Sequence, residues 1–382
     1  MEILTVDIGT GTQDIFLYDS DLDLENGYKL VAPSPTMIFY RRIRQATRQG
    51  RPVLLTGVLM GGGPVAWAAT EHIRAGFPLY ATPPAARTFN DDLEVVQRKM
   101  GVTLVSEDEA AAINGDEVRL ELKDFDYHSI AAAFAHFGYP LDPDLLAVAV
   151  FDHGDAPPGV SDRQFRFDYL DKRIRARNSL SAFAFRANEI PTIMTRLQAV
   201  ASSAQGVDCP LMVMDTAPAA VLGATLDPRV AASARSHAVM VVNVGNFHCL
   251  AFRLGTAGIE GVFEHHTGEV SPKRLDELLA ALAHASLTHA DVLNDKGHGA
   301  LMYRPTPLAL PADDFGIAVT GPRRNMLRQS YHRPYFATPY GDMMLTGCFG
   351  MLAALPDVYP ELAKPVLNSL GGAAGRPPWE AE

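Results

Sequence analysis

The chain has 382 residues, of which 47% are hydrophobic and 20% are charged, and its formal net charge is −11 at pH 7. This composition is that of an ordinary globular protein, long enough for two lobes, and the acidic balance argues against nucleic acid as a partner. The scattered cysteines Cys209, Cys249 and Cys348 form no C-x-x-C pair, so we predict neither a disulfide framework nor a cysteine-bound cluster. Without a basic-then-apolar leader or a long apolar run, the sequence predicts a cytoplasmic protein that does not cross a membrane.

The first twenty residues predict a β-hairpin whose turn binds an anion. An apolar strand ends at Asp7, a turn runs from Gly9 to Thr12, and Ile15 begins the returning strand. Backbone N–H groups in such a turn bind phosphate, and an adjacent Asp suits hydrated magnesium. Asp14 replaces the third glycine of the dinucleotide fingerprint, and the chain contains no P-loop motif. Taken alone, the stretch therefore fits an ordinary buried hairpin equally well.

The next part of the chain alternates predicted helices and strands, which is typical of an α/β fold. Helices are predicted at 36–49, 91–100 and 127–137, and strands at 52–59, 102–105, 117–122 and 145–151. The run from Gly61 to Pro64 opens a further helix. It fits either a second anion site at the helix N-terminus or a tight strand-to-helix connection without a ligand. Asp152, His153 and Asp155 follow a predicted strand, where ligands gather in α/β folds, although a solvated turn has the same composition.

A second hairpin in the second half of the chain repeats the design of the first. Over 239–254 an apolar strand ends at a polar residue, a glycine turn follows and a second apolar strand returns. Asn243-x-Gly245 thereby mirrors Asp7-x-Gly9. An internal repeat of this kind predicts two related lobes that face each other.

The remaining elements complete these lobes. A strand at 211–214 enters a helix through Asp215, which is a good capping residue. Further predicted elements are helices at 272–285 and 341–355 and a buried strand at 315–320. We place the N-terminal lobe at 1–225, the C-terminal lobe at 226–370 and a disordered tail at 371–382.

The order of these pieces resembles the superfamily of sugar kinases, heat-shock chaperone ATPases and actin. Two phosphate hairpins, two connecting helices and an adenosine motif resemble, in the order of the chain, residues 7–12, 219–225, 243–248, 319–324 and 341–355. The resemblance implies a two-lobed actin-like ATPase (ribonuclease H-like) fold, with ATP and Mg²⁺ in the cleft between the lobes.

More closely, the chain is similar to an uncharacterised family, a domain of unknown function that carries the label pyruvate formate-lyase activating enzyme. The segments that carry this likeness are M-G-G-G-P at 60–64, G-P-R-R at 321–324 and P-Y-G-D-M-M-L-T-G-C-F-G at 339–350. Such activases resemble radical enzymes that hold an iron–sulfur cluster with closely spaced cysteines. The scattered cysteines of this chain exclude that chemistry, and equally that of a cluster-dependent dehydratase activator.

The superfamily resemblance assigns roles to the residues in the matching motifs. Asp7 would orient Mg²⁺ through water. The phosphates would be held by Gly9, Thr10, Gly11 and Thr12 from one lobe and by Gly245 and Asn246 from the other, with Gly321 and Arg323 or Arg324 at the adenine. The chain departs from the pattern at Asn243, which stands where the second motif usually has Asp. An amide can bind a metal-bound water, but it cannot accept a proton.

The sequence leaves the catalytic base and the substrate open. The base candidates are Asp14, Asp152, Asp155, Asp215 and Asp342; with Asp7, we place Asp14 and Asp215 in the catalytic set. Asp215 and Asp342 serve equally well as helix caps. A small-molecule substrate is expected near Gly62, Gly63, Asp152 and His153.

The histidines give no sequence signal for a transition metal. The loop residues His153, His265, His266 and His298 lack spacing such as H-x-x-x-H, and His248 is expected to be a structural histidine or to approach a phosphate. Two functional classes therefore lead: an ATP-dependent phosphotransferase or ATPase acting on a small molecule, and a nucleotide-binding switch in which Asn243 marks lost catalysis. A metal hydrolase that uses the histidine loops is a distant third.

Overall fold

The computed structural model describes residues 1–308, 310 and 314–380, which form three β-sheets with helices packed around them. The strands are β1 Glu2–Ile8, β2 Thr12–Asp19, β3 Tyr28–Pro33, β4 Val53–Gly57, β5 Leu79–Ala81, β6 Thr103–Leu104, β7 Val118–Leu122, β8 Leu145–Val150, β9 Ala184–Arg186, β10 Leu211–Asp215, β11 Val239–Val244, β12 His248–Gly255, β13 Gly258–His266, β14 Gly299–Met302, β15 Ile317–Thr320 and β16 Tyr335–Phe336. The helices are α1 Pro35–Gln49, α2 Gly63–Arg74, α3 Pro83–Ala86, α4 Leu93–Val95, α5 Glu107–Ala112, α6 Tyr127–His136, α7 Asp162–Ala176, α8 Thr195–Ser203, α9 Thr216–Ala224, α10 Pro228–Ser236, α11 Pro272–Ala283, α12 His289–Leu293, α13 Thr346–Val358 and α14 Ala363–Leu370.

The two six-stranded sheets repeat one strand order over five strands, to which β9 adds an antiparallel edge in the first sheet and β14 in the second. The first runs β3-β2-β1-β8-β10-β9 and the second runs β14-β13-β12-β11-β15-β16. In each sheet three antiparallel strands (β1–β3, β11–β13) precede two parallel ones (β8 and β10, β15 and β16). Their apolar faces pack against helices, as the nearly continuous burial of β1, β8 and β11 requires. This duplicated order is the two-lobed actin-like ATPase, ribonuclease H-like fold that the sequence predicts.

A smaller sheet is inserted between β3 and β8. Its four parallel strands run in the order β6-β5-β4-β7, and a separate apolar cluster forms its core. Between β4 and α2, Gly62 passes so close to the Thr88 carbonyl that a side chain would overlap it. The M-G-G-G-P stretch is thus the tight strand-to-helix connection that was one of its two predicted roles.

Helices α9 and α13 cross in direct backbone contact and link the two repeats. A Cβ at Gly223 would overlap the Thr346 carbonyl, and one at Gly350 would overlap the Ala219 carbonyl. The small residues that suggested connecting helices are therefore needed for this close approach. The side chains of α13 also pack on Ile3, Phe16 and Leu145 in the core of the first sheet.

The last predicted helix differs from the structure at both ends. We predicted 341–355, whereas α13 begins at Thr346 because Tyr340 and Gly341 have φ of 49° and 75°. It then continues through Pro356 to Val358, where apolar packing extends beyond the proline. Prolines are usually read as helix ends, and here tertiary packing outweighs that rule.

Residues 371–380 of the predicted tail are described, and the Arg376 N–H donates to the Asp21 carbonyl at 2.7 Å. Ala381 and Glu382 lie outside the described residues. The lobe boundaries and the disorder of the tail stay predictions. Within the described chain, none of the helices combines the length and apolar character needed to cross a bilayer.

Candidate functional site

The first hairpin turn is held from behind by the start of α1. The Gly9 N–H donates to the Thr12 carbonyl at 2.9 Å and closes the turn. Ser34, the N-cap of α1, donates through its hydroxyl to the Thr10 carbonyl at 2.6 Å and through its N–H to the Gly11 carbonyl at 3.2 Å. These bonds occupy the Thr10 and Gly11 carbonyls with donors from Ser34, while Gly9, Thr10 and Thr12 line the cleft.

Two carboxyl groups lie behind this turn. Asp7 and Asp14 are directly opposite each other across the β1–β2 ladder, and they are only 8% and 7% exposed. Asp7 Oδ1 accepts a hydrogen bond from the Thr216 hydroxyl at 2.5 Å, whereas Asp14 Oδ1 has no hydrogen-bond partner among the described residues. Gly347, at the start of α13, leaves the space that Asp7 Oδ2 occupies.

Burial makes ionisation of this pair unfavourable. Desolvation raises the pKa of Asp7 to about 7, partly offset by the Thr216 hydrogen bond. Desolvation, and then the charge of Asp7, raise the pKa of Asp14 to about 8. Two carboxyls with such strongly raised pKa values in a cleft favour a bound cation, which would restore both charges.

The second hairpin has the same turn and faces the first. The Gly245 N–H donates to the His248 carbonyl at 2.9 Å, matching the bond in the first turn. The Asn246 side chain abuts Gly11, where a Cβ would overlap its amide. The two turns thus meet across one cleft, as the internal repeat predicts.

This cleft has a volume of about 100 Å³ and collects most of the predicted nucleotide residues. Its walls include Asp7, Gly9, Thr10, Thr12, Asp14, Asn243, Gly245, Asn246 and Gly321. Thr216, Thr320 and Gly347 line it as well, and they were not among the predicted site residues. Arg323 and Arg324 are not part of these walls: the Arg323 N–H donates to the Val244 carbonyl, and the Arg324 guanidinium donates to the Ala337 carbonyl.

Asp215 lies behind the cleft wall. It caps α9 by accepting the Ala217 N–H at 3.1 Å, and it forms an ion pair with Arg166 at 2.6 Å. Arg166 is fully buried and also donates to Glu264 at 2.8 Å, so it joins the end of β10 to β13 of the other sheet. These contacts favour the structural role of Asp215. The sequence offered no local signal for Arg166, whose two partners lie far along the chain.

A larger cavity of about 580 Å³ adjoins the cleft. Both share wall residues, namely Thr10, Phe151, Arg196, Phe247 and His248. All four predicted substrate residues, Gly62, Gly63, Asp152 and His153, line this cavity.

Two polar groups in the wall of this cavity, the Asp152 carboxylate and the Gly61 N–H, already form hydrogen bonds within the protein. Asp152 accepts the Gly154 and Leu197 N–H groups, one on each carboxylate oxygen, at 2.8 and 2.9 Å. The Gly61 N–H donates to Asp124 at 3.2 Å. These bonds favour a structural role for Asp152 and leave one donor fewer for an anion at the start of α2.

Sequence spacing gave no sign of a histidine cluster, but the structure brings three histidines together. One ring nitrogen from each of His248, His266 and His298 lies within 4.8 Å of the others. These residues stand 18 and 32 positions apart, which no local motif describes. Only the pairing of β12, β13 and β14 brings them together.

Comparison with solved structures finds remote matches. They include a ROK hexokinase from Thermus thermophilus (11% identity, TM-score 0.24, 68% of this chain and 47% of that one) and an exopolyphosphatase from Cytophaga hutchinsonii (11%, 0.20, 72% and 53%). A PPX-GPPA enzyme from Aquifex aeolicus matches at 8% identity with a TM-score of 0.21, over 94% of this chain and 93% of that one. The chain thus spans about half the length of the hexokinase and of the exopolyphosphatase. The scores are low, and the fold assignment rests on the strand order described above.

No curated protein matches the chain. A family model does: residues 60–326 match the family described as "Putative pyruvate format-lyase activating enzyme (DUF1786)". This range covers more than half of the chain and includes the glycine connection before α2, the second hairpin and the G-P-R-R segment. The chain belongs to this family.

Proposed function

We propose that this protein binds Mg·ATP in the cleft between the two hairpins and transfers its terminal phosphoryl group to water or to a small molecule in the adjoining cavity. The observation that carries the proposal is the pair of facing turns, each closed by the same 2.9 Å hydrogen bond. Phosphoryl transfer depends mainly on positioning and on neutralising charge, and two opposed N–H-rich turns supply both.

The residues of the first hairpin fit a magnesium ion. Carboxylate oxygens and water are the ligands that Mg²⁺ prefers, and Asp7 and Asp14 provide carboxylates at one end of the cleft. Asp14 Oδ1 has no hydrogen-bond partner among the described residues, so it is available to a metal-bound water. A bound ion would neutralise phosphate charge, while Asp7 would orient it and Thr216 would hold Asp7.

Among the base candidates, Asp14 is the one we favour. Asp152 uses both oxygens for backbone N–H groups, and Asp215 is paired with Arg166. Asp342 accepts the Met344 N–H at 2.9 Å, in the capping role that was its alternative. Asp155 lines neither the cleft nor the adjoining cavity, whereas Asp14 stands on the wall of the cleft, where its carboxylate would accept a proton from a metal-bound water while Asp7 orients the ion.

A nucleotide-dependent switch is the second candidate, and Asn243 is the observation that favours it. The second hairpin places an amide where a carboxylate would add a charge near the metal. In that case ATP would mainly hold the two lobes together, with slow or no turnover.

We propose no radical chemistry, despite the description of the family. A radical activase needs three closely spaced thiolates on a cluster. Cys249 lies in β12 of one sheet and Cys348 in α13 on the other, and burial raises the pKa of the Cys249 thiol to about 12. Protonated thiols on separate sheets do not form that ligand set.

The test is calorimetric titration of the protein with Mg·ATP and with a non-hydrolysable analogue, alongside phosphate release. Asp7→Asn should weaken Mg·ATP binding at least about tenfold, because it removes a charged metal partner while keeping an acceptor for Thr216. Asp116→Asn, in an exposed turn, is the matched control and should bind as the parent does.

The outcomes separate the candidates. Binding with phosphate release supports an enzyme and justifies a screen of acceptors. Binding without release, unchanged by small-molecule acceptors, supports the switch. Absence of binding by either nucleotide overturns both, and unchanged binding by Asp7→Asn overturns the assignment of the site.

A further inference from the structure

The three clustered histidines lie at one edge of the second sheet, where three neighbouring strands end. His248 is the first residue of β12, His266 is the last residue of β13, and His298 immediately precedes β14. Register pairs His248 with His266, and the His298 N–H donates to the Glu264 carbonyl at 2.9 Å. Regular sheet hydrogen bonding therefore fixes the backbone beneath all three rings.

The rings face one another across a small gap. Ring centroids are 4.5 Å apart for His266 and His298, and 5.0 Å apart for His248 with each of the others. One nitrogen per ring lies within 4.8 Å of the other two. Zinc binds histidine nitrogens at about 2.0–2.1 Å, so the rings need only a modest inward movement to share one ion.

A buried carboxylate lies directly behind the rings. Glu264 is fully buried, and its Oε1 lies 3.0 Å from His248 Nδ1 and 3.4 Å from His298 Nδ1. A metal-bound histidine characteristically donates its other ring N–H to a carboxylate, which fixes the ring and makes it a better ligand. The other Glu264 oxygen accepts a hydrogen bond from Arg166, which also pairs with Asp215. The positive charge of Arg166 is therefore offset by two carboxylates and does not oppose a cation at the histidines.

The cluster faces the larger cavity. Phe151 stacks on the His248 ring at 4.0 Å between centroids, while all three histidines line the 580 Å³ cavity. Three protein ligands and one open position toward a cavity is the arrangement of a catalytic zinc site, whereas structural zinc sites are closed by four.

We propose that His248, His266 and His298 bind one divalent transition-metal ion of the zinc class, with a coordination position open to an oxygen-bearing ligand in the cavity. The ion is distinct from the magnesium proposed for the cleft, since imidazole nitrogens suit zinc, cobalt or iron and Mg²⁺ prefers oxygen. The proposal does not depend on nucleotide binding.

The test uses the full chain, stripped of metal by a chelator and titrated with Zn²⁺ and Co²⁺ in excess Mg²⁺ and without nucleotide. We expect one ion per chain and, for Co²⁺, the visible absorption bands of a low-symmetry nitrogen-ligated site. The double variant His266→Ala/His298→Ala should bind at least about 100-fold more weakly, because loss of a mere outer partner already costs 10–100-fold. His136→Ala, which removes an exposed histidine at the end of α6, is the control and should bind as the parent does.

Failure of the parent chain to bind one Zn²⁺ or Co²⁺ ion would overturn the proposal, as would unchanged affinity in the double variant. If the double variant does not fold, as judged by circular dichroism, X-ray absorption of the zinc-loaded parent decides. Three imidazole nitrogens around the ion would support the site, and two or fewer would overturn it. Since nucleotide is absent throughout, the result is separate from the fate of the Mg·ATP proposal.

Discussion

The two hairpins share a backbone and differ in the chemistry of their side chains. Each has a polar residue, Asp7 or Asn243, as the last but one residue of its first strand, and each turn is closed by a hydrogen bond of 2.9 Å from glycine to the third residue beyond it. Behind the first turn are two buried carboxyls with raised pKa values. At the corresponding position in β11, the second hairpin has the uncharged amide of Asn243.

Around the second hairpin, the buried carboxylate is not at the turn but on the neighbouring strand β13. His248, which begins the returning strand of the second hairpin, contacts Glu264 on the next strand, and Glu264 pairs with Arg166. One copy of the repeat thus keeps carboxylates at the turn, while the other keeps its carboxylate one strand away, behind imidazoles. If both proposals hold, the repeat keeps the same turn for an anion in each copy, while the side chains around the two copies would bind different cations.

The connection between the two copies should be the most sensitive point. Arg166→Met would leave the carboxylates of Asp215 and Glu264 buried without their partner, and removing one member of a buried ion pair costs about 3–5 kcal/mol. We expect the free energy of unfolding to fall by that amount in urea titrations monitored by circular dichroism.

Arg175→Met is the matched control for Arg166, since it lies on the same helix in an exposed pair with Asp171. Surface ion pairs contribute about 0–1 kcal/mol, so the control should remain close to the parent. Equal stabilities for the two variants would show that Arg166 does not couple the two sheets.

The buried carboxyl pair of the first hairpin should be a source of instability when no metal is present. The folded protein holds the Asp14 proton up to a pKa of about 8, whereas the unfolded chain releases it near 4. The folded state therefore binds more protons between these values, and parental stability falls as pH rises from 4 to 8. Asp14→Asn removes this loss, so we expect it to stabilise the protein by about 0.5–2 kcal/mol at pH 8 and by less at pH 5.

Urea unfolding at both pH values in the presence of a chelator measures this effect. Asp116→Asn, an exposed substitution, should show no comparable pH-dependent gain. If Asp14→Asn does not raise the free energy of unfolding, or raises it more at pH 5 than at pH 8, the raised pKa of Asp14 is contradicted.

Local signals explain what the sequence predicted well. Strand alternation, a glycine turn and a capping residue are encoded within a few positions, so both hairpins, the helix entered through Asp215 and the helix predicted from 272 follow directly. The duplicated turn then predicts the facing lobes. The cleft walls confirm where the turns lie, and their ligands stay predictions.

The rest depends on contacts between distant strands. The Arg166 ion pairs and the histidine cluster require knowledge of which strands are neighbours, and a single sequence does not give that register. The start of α13 was missed for a different reason. Gly341 was read as part of the helix, whereas its left-handed φ of 75° belongs to the turn that precedes it.

The smallest expected effect concerns Asn243, the residue that most directly separates the two hairpins. Asn243→Asp would give the second turn the carboxylate that the first one has, and the added charge would face a metal across the cleft. We expect the Mg²⁺ concentration needed for ATP binding to fall by less than about tenfold, which corresponds to 1.4 kcal/mol. Asn246→Asp, which places a charge against Gly11 and the proposed phosphate site, should have the opposite effect and weaken ATP binding. Calorimetry at several Mg²⁺ concentrations distinguishes the two, and if neither variant changes Mg²⁺ or ATP affinity, the second hairpin does not face the bound nucleotide.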